Sequence, residues 1–194
     1  MRILIGLNGN AGSGKDTVAA YMARELRKRG YSVNTLAFSE PLKQFCNQVL
    51  HIAFGVSDSH FFGSQSEKAK ALPGPLGHTS GRRVCQVVGD ALKHAHKDTL
   101  ALYAITKVHK YFDEGADIVI VTDVRYYSES IIVRKEKGVI VSLLRNADTS
   151  SDTHQSETEV SDVDPDYLLD NSNMSLQELY REVDNILCDL HLFS

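Results

Sequence analysis

Gly9, Gly14 and Lys15 fall in the spacing G-x-x-x-x-G-K within "NGNAGSGKDTVA", residues 8–19. Glycines there let backbone N–H groups turn inward on an anion, and a lysine after the last glycine can reach its terminal oxygens. The chemistry this set supports is polyphosphate binding. The loop follows the apolar run "RILIGL" and leads into the helical pattern "VAAYMARELRKRG". A strand, a glycine-rich turn and a helix start in that order bring the positive end of the helix to the phosphates. Beside the lysine stands Asp16, where a magnesium-binding hydroxyl is usual, and the hydroxyl follows one place later at Thr17. A carboxylate beside a triphosphate is repelled unless a cation lies between them. Asp16 therefore reads as acting through Mg²⁺ or its waters, with Thr17, or as a brace for a nearby Arg. An acid that complements the helix dipole is the alternative.

Outside the loop, short apolar runs at 2–7, 33–38, 118–122, 139–144 and 166–169 alternate with longer helical patterns, which predicts about five parallel strands flanked by helices. Val18, Ala19, Met22, Ala23 and Leu26 form the stripe of the first helix, stopped near Gly30. Leu176, Leu179, Val183, Ile186, Leu187 and Leu190 form that of the last, opened by Ser175 with Glu178 as a capping box. In open parallel sheets ligands lie beyond the carboxyl ends of the strands. Polar residues follow several of them: Ser39 and Lys43, Asp123 and Arg125, and Arg145. The pattern predicts one rim with several cations besides Lys15, and Asp123 in the place of an acid that orders Mg²⁺ water. Phosphoryl transfer suits such a set, because its charge is met chiefly by positioned cations and needs no strong base. Arg82, Arg83 and Gln86 stand on a predicted helix start, suited to a second phosphate and a base edge, with a solvated basic helix end as the alternative.

The 194 residues, 42% of them hydrophobic, suffice for one sizeable core, and the chain reads as a single domain over 1–194. A net charge of −4 argues against a nucleic-acid polymer as partner. No apolar run approaches the ~20 residues of a bilayer span, and no export signal is evident, so a cytoplasmic protein is expected. Cys46, Cys85 and Cys188 are distant in sequence and not in metal-ligand pairs, the pattern of reduced thiols with neither disulfide nor structural zinc. Residues 54–81 and 146–165 resist assignment to the core and read as a substrate-side insertion and a lid, with flexible surface insertions as the alternative for each.

"GSGKDT" resembles the G-x-x-G-x-G-K-x-T loop of nucleoside monophosphate kinases through Gly9, Gly12, Gly14, Lys15 and Thr17. With "FSEPLK", "GRRVCQVVGD", "TDVRYYSE", "DTHQSE" and "LLDNSNMSLQEL", nearly the whole chain resembles the phage-type deoxynucleoside monophosphate kinases. The resemblance implies a P-loop three-layer α/β fold with a lid, and ATP-dependent, Mg²⁺-assisted phosphorylation of deoxynucleoside 5′-monophosphates. It places Ser13, Lys15, Asp16 and Thr17 at the donor phosphates, and Arg82, Arg83, Gln86, Gly89 and Asp90 around the acceptor. Asp123, Arg125 and Glu129 fall near the transferred group, while Arg145, Asp152, His154, Ser156 and Glu157 fall in the lid. It also implies the cytoplasm of a bacterial host and admits a homodimer, for which the helices over 81–114 offer a surface. Two departures stand out. The family's "RFPNE" is here Arg125, Tyr126, Tyr127, Ser128 and Glu129, without the proline. There is also no Trp to lie beside the base, which leaves Leu102 or Tyr103 for that place.

Two other classes share the loop. A kinase for another phosphorylated acceptor, of phosphomevalonate or dephospho-coenzyme A type, differs only at the acceptor. A nucleotide switch or motor ATPase is disfavoured, because no N-K-x-D follows the loop and Val124, not Glu, follows Asp123.

Overall fold

The computed structural model describes residues 2–145 and 163–193. The chain divides into two compact units, Met1–Phe38 with Ala101–Ser194, and Ser39–Leu100. The strands are β1 Ile3–Asn8, β2 Val33–Leu36, β3 Ile118–Val124, β4 Val139–Leu144 and β5 Tyr167–Asp170. The helices are α1 Lys15–Lys28, α2 Glu40–Phe54, α3 Ser59–Phe62, α4 Gln65–Ala69, α5 Gly81–Ala95, α6 Thr99–Asp113, α7 Tyr127–Lys135 and α8 Leu176–Asp189. None is long and apolar enough to cross a membrane among the described residues.

The first unit is built on a sheet of order β2-β3-β1-β4-β5 in which every pairing is parallel. The sheet is buried on both faces, and the period-2 alternation of its strands sorts their side chains. Ile5, Leu7, Ile118, Ile120, Val141 and Leu143 pack with Val18, Met22 and Leu26 of α1 and with Leu179, Val183 and Leu187 of α8. Leu4, Val119, Val121 and Ile140 pack on the opposite face with Ala101, Ala104 and Val108 of α6 and Val133 of α7. Each fully buried Leu or Ile of these layers contributes roughly 1.5–3 kcal/mol. The architecture is the expected three-layer α/β sandwich.

The ends of the elements follow their local chemistry. Gly30, at φ 88°, closes α1 where the stop was expected. At the start of α8 the Ser175 hydroxyl accepts the Glu178 N–H (3.3 Å) and the Glu178 carboxylate accepts the Ser175 N–H (2.7 Å), the expected capping box. Leu176, read as part of the buried stripe, is instead 54% exposed, since it lies in the first turn before the helix settles on the sheet. Strand β2 stops at Leu36, short of residue 38, although Phe38 remains buried. Of the expected lid, residues 146–162 lie outside the described residues, and with them Asp152, His154, Ser156 and Glu157. Val163 is buried against the second sheet face, and Arg134 pairs with Asp166 at 3.1 Å and donates to the Asp164 carbonyl, fixing the entry to β5.

The second unit is helical, with a short 3-10 turn, Gly74–Leu76, and an antiparallel bridge between Ala71 and Ser80. Its own core contains Leu42 and Cys46 of α2, Val56, Phe61 and Leu72, with Val84, Cys85, Val88 and Leu92 of α5 packed around them. Residues 54–81 thus do enter a core, contrary to the sequence expectation. Their apolar anchors are too widely spaced to show as a periodic stripe. The Cys46 and Cys85 thiols hydrogen-bond to each other, and that bond together with burial holds the Cys85 thiol above its ordinary range.

Candidate active site

Because the strands run parallel, the residues after β1, β3 and β4 leave the same sheet edge. Asn8 of β1 pairs in register with Val124 of β3 on one side and Ser142 of β4 on the other. The phosphate loop and the segment carrying Arg125 therefore begin on neighbouring strands. The ladder shifts between the Gly6 and Asn8 pairings, where β3 carries one extra residue and Asp123 sits. A buried polar chain locks this edge. The Asn8 amide donates to the Val124 carbonyl (3.1 Å), and the Ser142 hydroxyl donates to the Asn8 side-chain oxygen (2.8 Å).

The loop itself turns on Gly9 (φ 141°), Gly12 (φ 79°) and Gly14 (φ 98°). At Gly9 a Cβ would lie 2.5 Å from the Leu143 carbonyl oxygen and 2.7 Å from the Ser13 hydroxyl, so only glycine fits. Gly14 caps α1 in the left-handed conformation. Lys15 is buried, with its ammonium donating to the Gly9 carbonyl (2.6 Å), the Asn10 carbonyl (2.6 Å) and the Ser13 hydroxyl (3.3 Å). These contacts centre the ammonium charge in the loop. Asp16 and Thr17 are exposed on the first turn of α1.

Asp123 is buried, and one of its oxygens accepts the Phe38 N–H at 2.6 Å, tying the end of β3 to the segment after β2. Arg125 is half-buried in the turn that follows β3, and Arg145 is exposed after β4. The buried Glu129 carboxylate accepts the N–H groups of Arg125 (2.8 Å) and Tyr126 (3.2 Å), at the third position of α7. It thus fixes the backbone that carries Arg125, a role its place near "TDVR" did not reveal. Glu129→Ala should lower folding stability by about 1–3 kcal/mol, since two N–H groups lose a charged acceptor. An unchanged midpoint in urea would show that this cap carries no weight.

In the second unit, Ser80 caps α5 by accepting the Arg83 N–H at 3.3 Å, in agreement with the helix start expected around Arg82 and Arg83. Arg82 donates to the Gln65 side chain, and Arg83 approaches Gln86 at 3.5 Å. Asp90 is exposed on α5. Gly89 is buried where a Cβ would meet Leu42 of α2 at 3.2 Å, so its smallness serves close helix packing. Lys43 of α2 is half-buried, and its charge reaches the Cys85 thiol on α5.

Hard oxygen donors suit Mg²⁺, and exposed Asp16 and Thr17 supply a carboxylate and a hydroxyl at the loop. No three His, Cys, Asp or Glu side chains gather into a metal-holding group among the described residues. The donor set fits an ion held partly by phosphate oxygens and water rather than a protein cage. Asn8, Ser142 and Asn171, a third buried polar residue at this edge, have no place in the sequence-derived site. Asn8 was signalled as a polar residue ending an apolar run and Ser142 as one interrupting a run, while Asn171, behind Asp170, carried no such signal.

A glycine-rich loop and a buried lysine at the carboxyl edge of a 2-3-1-4-5 parallel sheet define a P-loop α/β protein. The sequence profile of deoxynucleotide monophosphate kinases matches residues 64–183, which contain α5, β3, Arg125 and Glu129. The chain belongs to the deoxynucleotide monophosphate kinase family and is a nucleotide kinase. It is 28% identical over 191 residues to a protein of Acanthamoeba polyphaga mimivirus named as a deoxynucleotide monophosphate kinase, covering 93% of this chain and 94% of that one. Similar solved structures include a Mycobacterium tuberculosis APS kinase in complex with AMPPNP and APS (16% identity, 96% and 97% of the two chains, TM-score 0.42). Shikimate kinase from Bacteroides thetaiotaomicron is another (13% identity, 97% and 98% of the two chains, TM-score 0.42).

Proposed function

We propose that the protein transfers the γ-phosphoryl group of ATP directly to a deoxynucleoside 5′-monophosphate. An acceptor phosphate oxygen forms the new bond to the γ-phosphorus as the bond to the β–γ bridging oxygen breaks, releasing ADP and the deoxynucleoside diphosphate. The observation that carries this reading is the start of the Lys15 loop and the Arg125 turn on adjacent parallel strands. Backbone N–H groups of Gly9 to Gly14 and the ammonium of Lys15 hold the donor phosphates. Arg125 and Arg145 meet the charge on the transferred group, where in-line displacement needs cations more than a base. Lys43, Arg82, Arg83, Gln86 and Asp90 are assigned to the acceptor nucleotide, and Gly89 to the close packing of the helix that carries four of them.

Mg²⁺, when bound, neutralises charge on the phosphate oxygens. Asp16 and Thr17 would hold it through side-chain oxygens or ordered water, and Asp123, which accepts the Phe38 N–H, is the acid assigned to ordering that water. Asp16→Asn is expected to slow turnover strongly and to move the Mg²⁺ titration to higher concentration. An unchanged rate and titration would leave Asp16 as a helix-dipole acid only.

The reading is tested by ADP release with a panel of the four deoxynucleoside monophosphates, their ribose counterparts and other phosphorylated acceptors. Preference for the deoxynucleotides supports it, and turnover confined to a different phosphorylated acceptor sinks it. The resemblance to phage-type enzymes makes the cytoplasm of a bacterial host the compartment of this reading. A homodimer would be read from molar mass in solution.

A further inference from the structure

Asn171 follows β5 and is 7% exposed, a buried amide outside every residue set assigned so far. Its backbone N–H donates to the Leu144 carbonyl at 2.9 Å, which extends the β4–β5 pairing by one residue and fixes the position of its side chain. From there Nδ2 donates to the Ser13 carbonyl at 2.8 Å, across 158 positions of sequence. The same Nδ2 lies where a Cβ on Gly14 would approach within 3.1 Å, so the amide is seated directly against the loop backbone. Its Oδ1 is buried with no hydrogen-bond partner among the described residues. A turned amide would set that oxygen against the Ser13 carbonyl, so the donor must face the loop.

We propose that Asn171 is a positioning residue for the donor nucleotide, acting by setting the orientation of the Ser13–Gly14 peptide. That peptide is planar and trans, so its C=O and N–H point in opposite directions. Holding the Ser13 carbonyl toward Asn171 aims the Gly14 N–H the other way, into the concave side of the loop, where the phosphate-binding reading requires a donor. Gly14, with no Cβ and φ 98°, leaves this peptide free to rotate if nothing restrains it. Lys15 gathers the Gly9 and Asn10 carbonyls and the Ser13 hydroxyl from within the loop. Asn171 supplies the opposing restraint from the sheet edge. The inference rests on the proposed phosphate-binding role of the loop, and it is independent of which acceptor is phosphorylated.

The test compares Asn171→Leu and Asn171→Asp with the unaltered chain, by calorimetric titration with Mg·ATP and by steady-state kinetics. Leucine keeps the bulk and removes both the restraint and the orphaned oxygen. It also leaves the Ser13 carbonyl without this donor, so a small fall in the thermal midpoint is expected beside a rise of about tenfold in the ATP dissociation constant, the effect of one net hydrogen bond. Aspartate is isosteric but sets an anion against the Ser13 carbonyl and the phosphates, so affinity should fall by more than the leucine variant shows. In both variants KM for ATP should rise while KM for the acceptor stays unchanged, a split that general loosening of the fold would not produce. ATP binding within twofold of the unaltered chain in either variant, or a parallel rise of both KM values, overturns the proposal. A chain that binds ATP with this dependence on Asn171 but phosphorylates no deoxynucleotide would sink the acceptor reading and leave this inference standing.

Discussion

Lys15→Ala is expected to give a folded protein whose turnover with ATP and a deoxynucleotide falls by roughly a hundredfold or more, a loss of about 2.7 kcal/mol at the transition state. The ammonium sits at the centre of the loop, 2.6 Å from two backbone carbonyls. In the proposed role, at least one of its donors turns to an anionic phosphate oxygen, where charge on both partners makes the bond stronger than one to a carbonyl. Removing it also leaves the Gly9 and Asn10 carbonyls without this donor, at a local cost of about 1–3 kcal/mol. Lys15→Met separates the two effects, since it keeps the apolar stem in its buried slot. Circular dichroism and the thermal midpoint report the fold, and initial rates of ADP release report the chemistry. Near-normal turnover in a folded Lys15 variant would remove the loop from the mechanism.

A comparable loss, roughly a hundredfold or more, is expected for Arg125→Ala, because a positioned guanidinium meets charge that spreads over the transferred oxygens. The turn that carries it is held from below. Val124 is buried and accepts from Asn8, and the Arg125 N–H is bound to the Glu129 carboxylate at 2.8 Å. Since these bonds involve backbone groups, the alanine variant keeps them and should fold. Arg125→Lys should recover only part of the rate, because an ammonium cannot reproduce the planar two-donor fork. The loss should appear in kcat, with a smaller change in KM for either nucleotide, as befits an interaction made in the transition state. An Arg125→Ala enzyme with nearly normal kcat would assign this residue to the surface.

The absent proline of "RFPNE" shows how local wording and tertiary context differ. Sequence alone leaves the stiffness of the Arg125 turn without an obvious source. The structure supplies one in the buried Glu129, whose carboxylate binds the backbone N–H groups of Arg125 and Tyr126. The glutamate was legible as a site candidate, but its action through the backbone was not, since an acid near cations reads first as a substrate or metal contact. Gly89 was likewise read as part of the acceptor site, and its close approach to Leu42 is invisible until α2 and α5 are packed together. Cys46 and Cys85 are far apart in the chain, yet their thiols share a hydrogen bond.

What the sequence determined by itself is what depends on neighbours along the chain. The phosphate loop, the stripes of α1 and most of α8, the capping box at Ser175 and the five apolar strand runs all follow from spacing over a few residues. Only the tertiary structure decided which strands lie side by side, how Val56, Phe61 and Leu72 make a second core, and which polar groups end up paired in the interior. Asn171 and Ser13 lie 158 positions apart, and no local periodicity links them. They meet because β5 is laid beside β4 and its end is brought to the back of the loop. Burial then makes an amide–carbonyl bond matter there, where water cannot take its place.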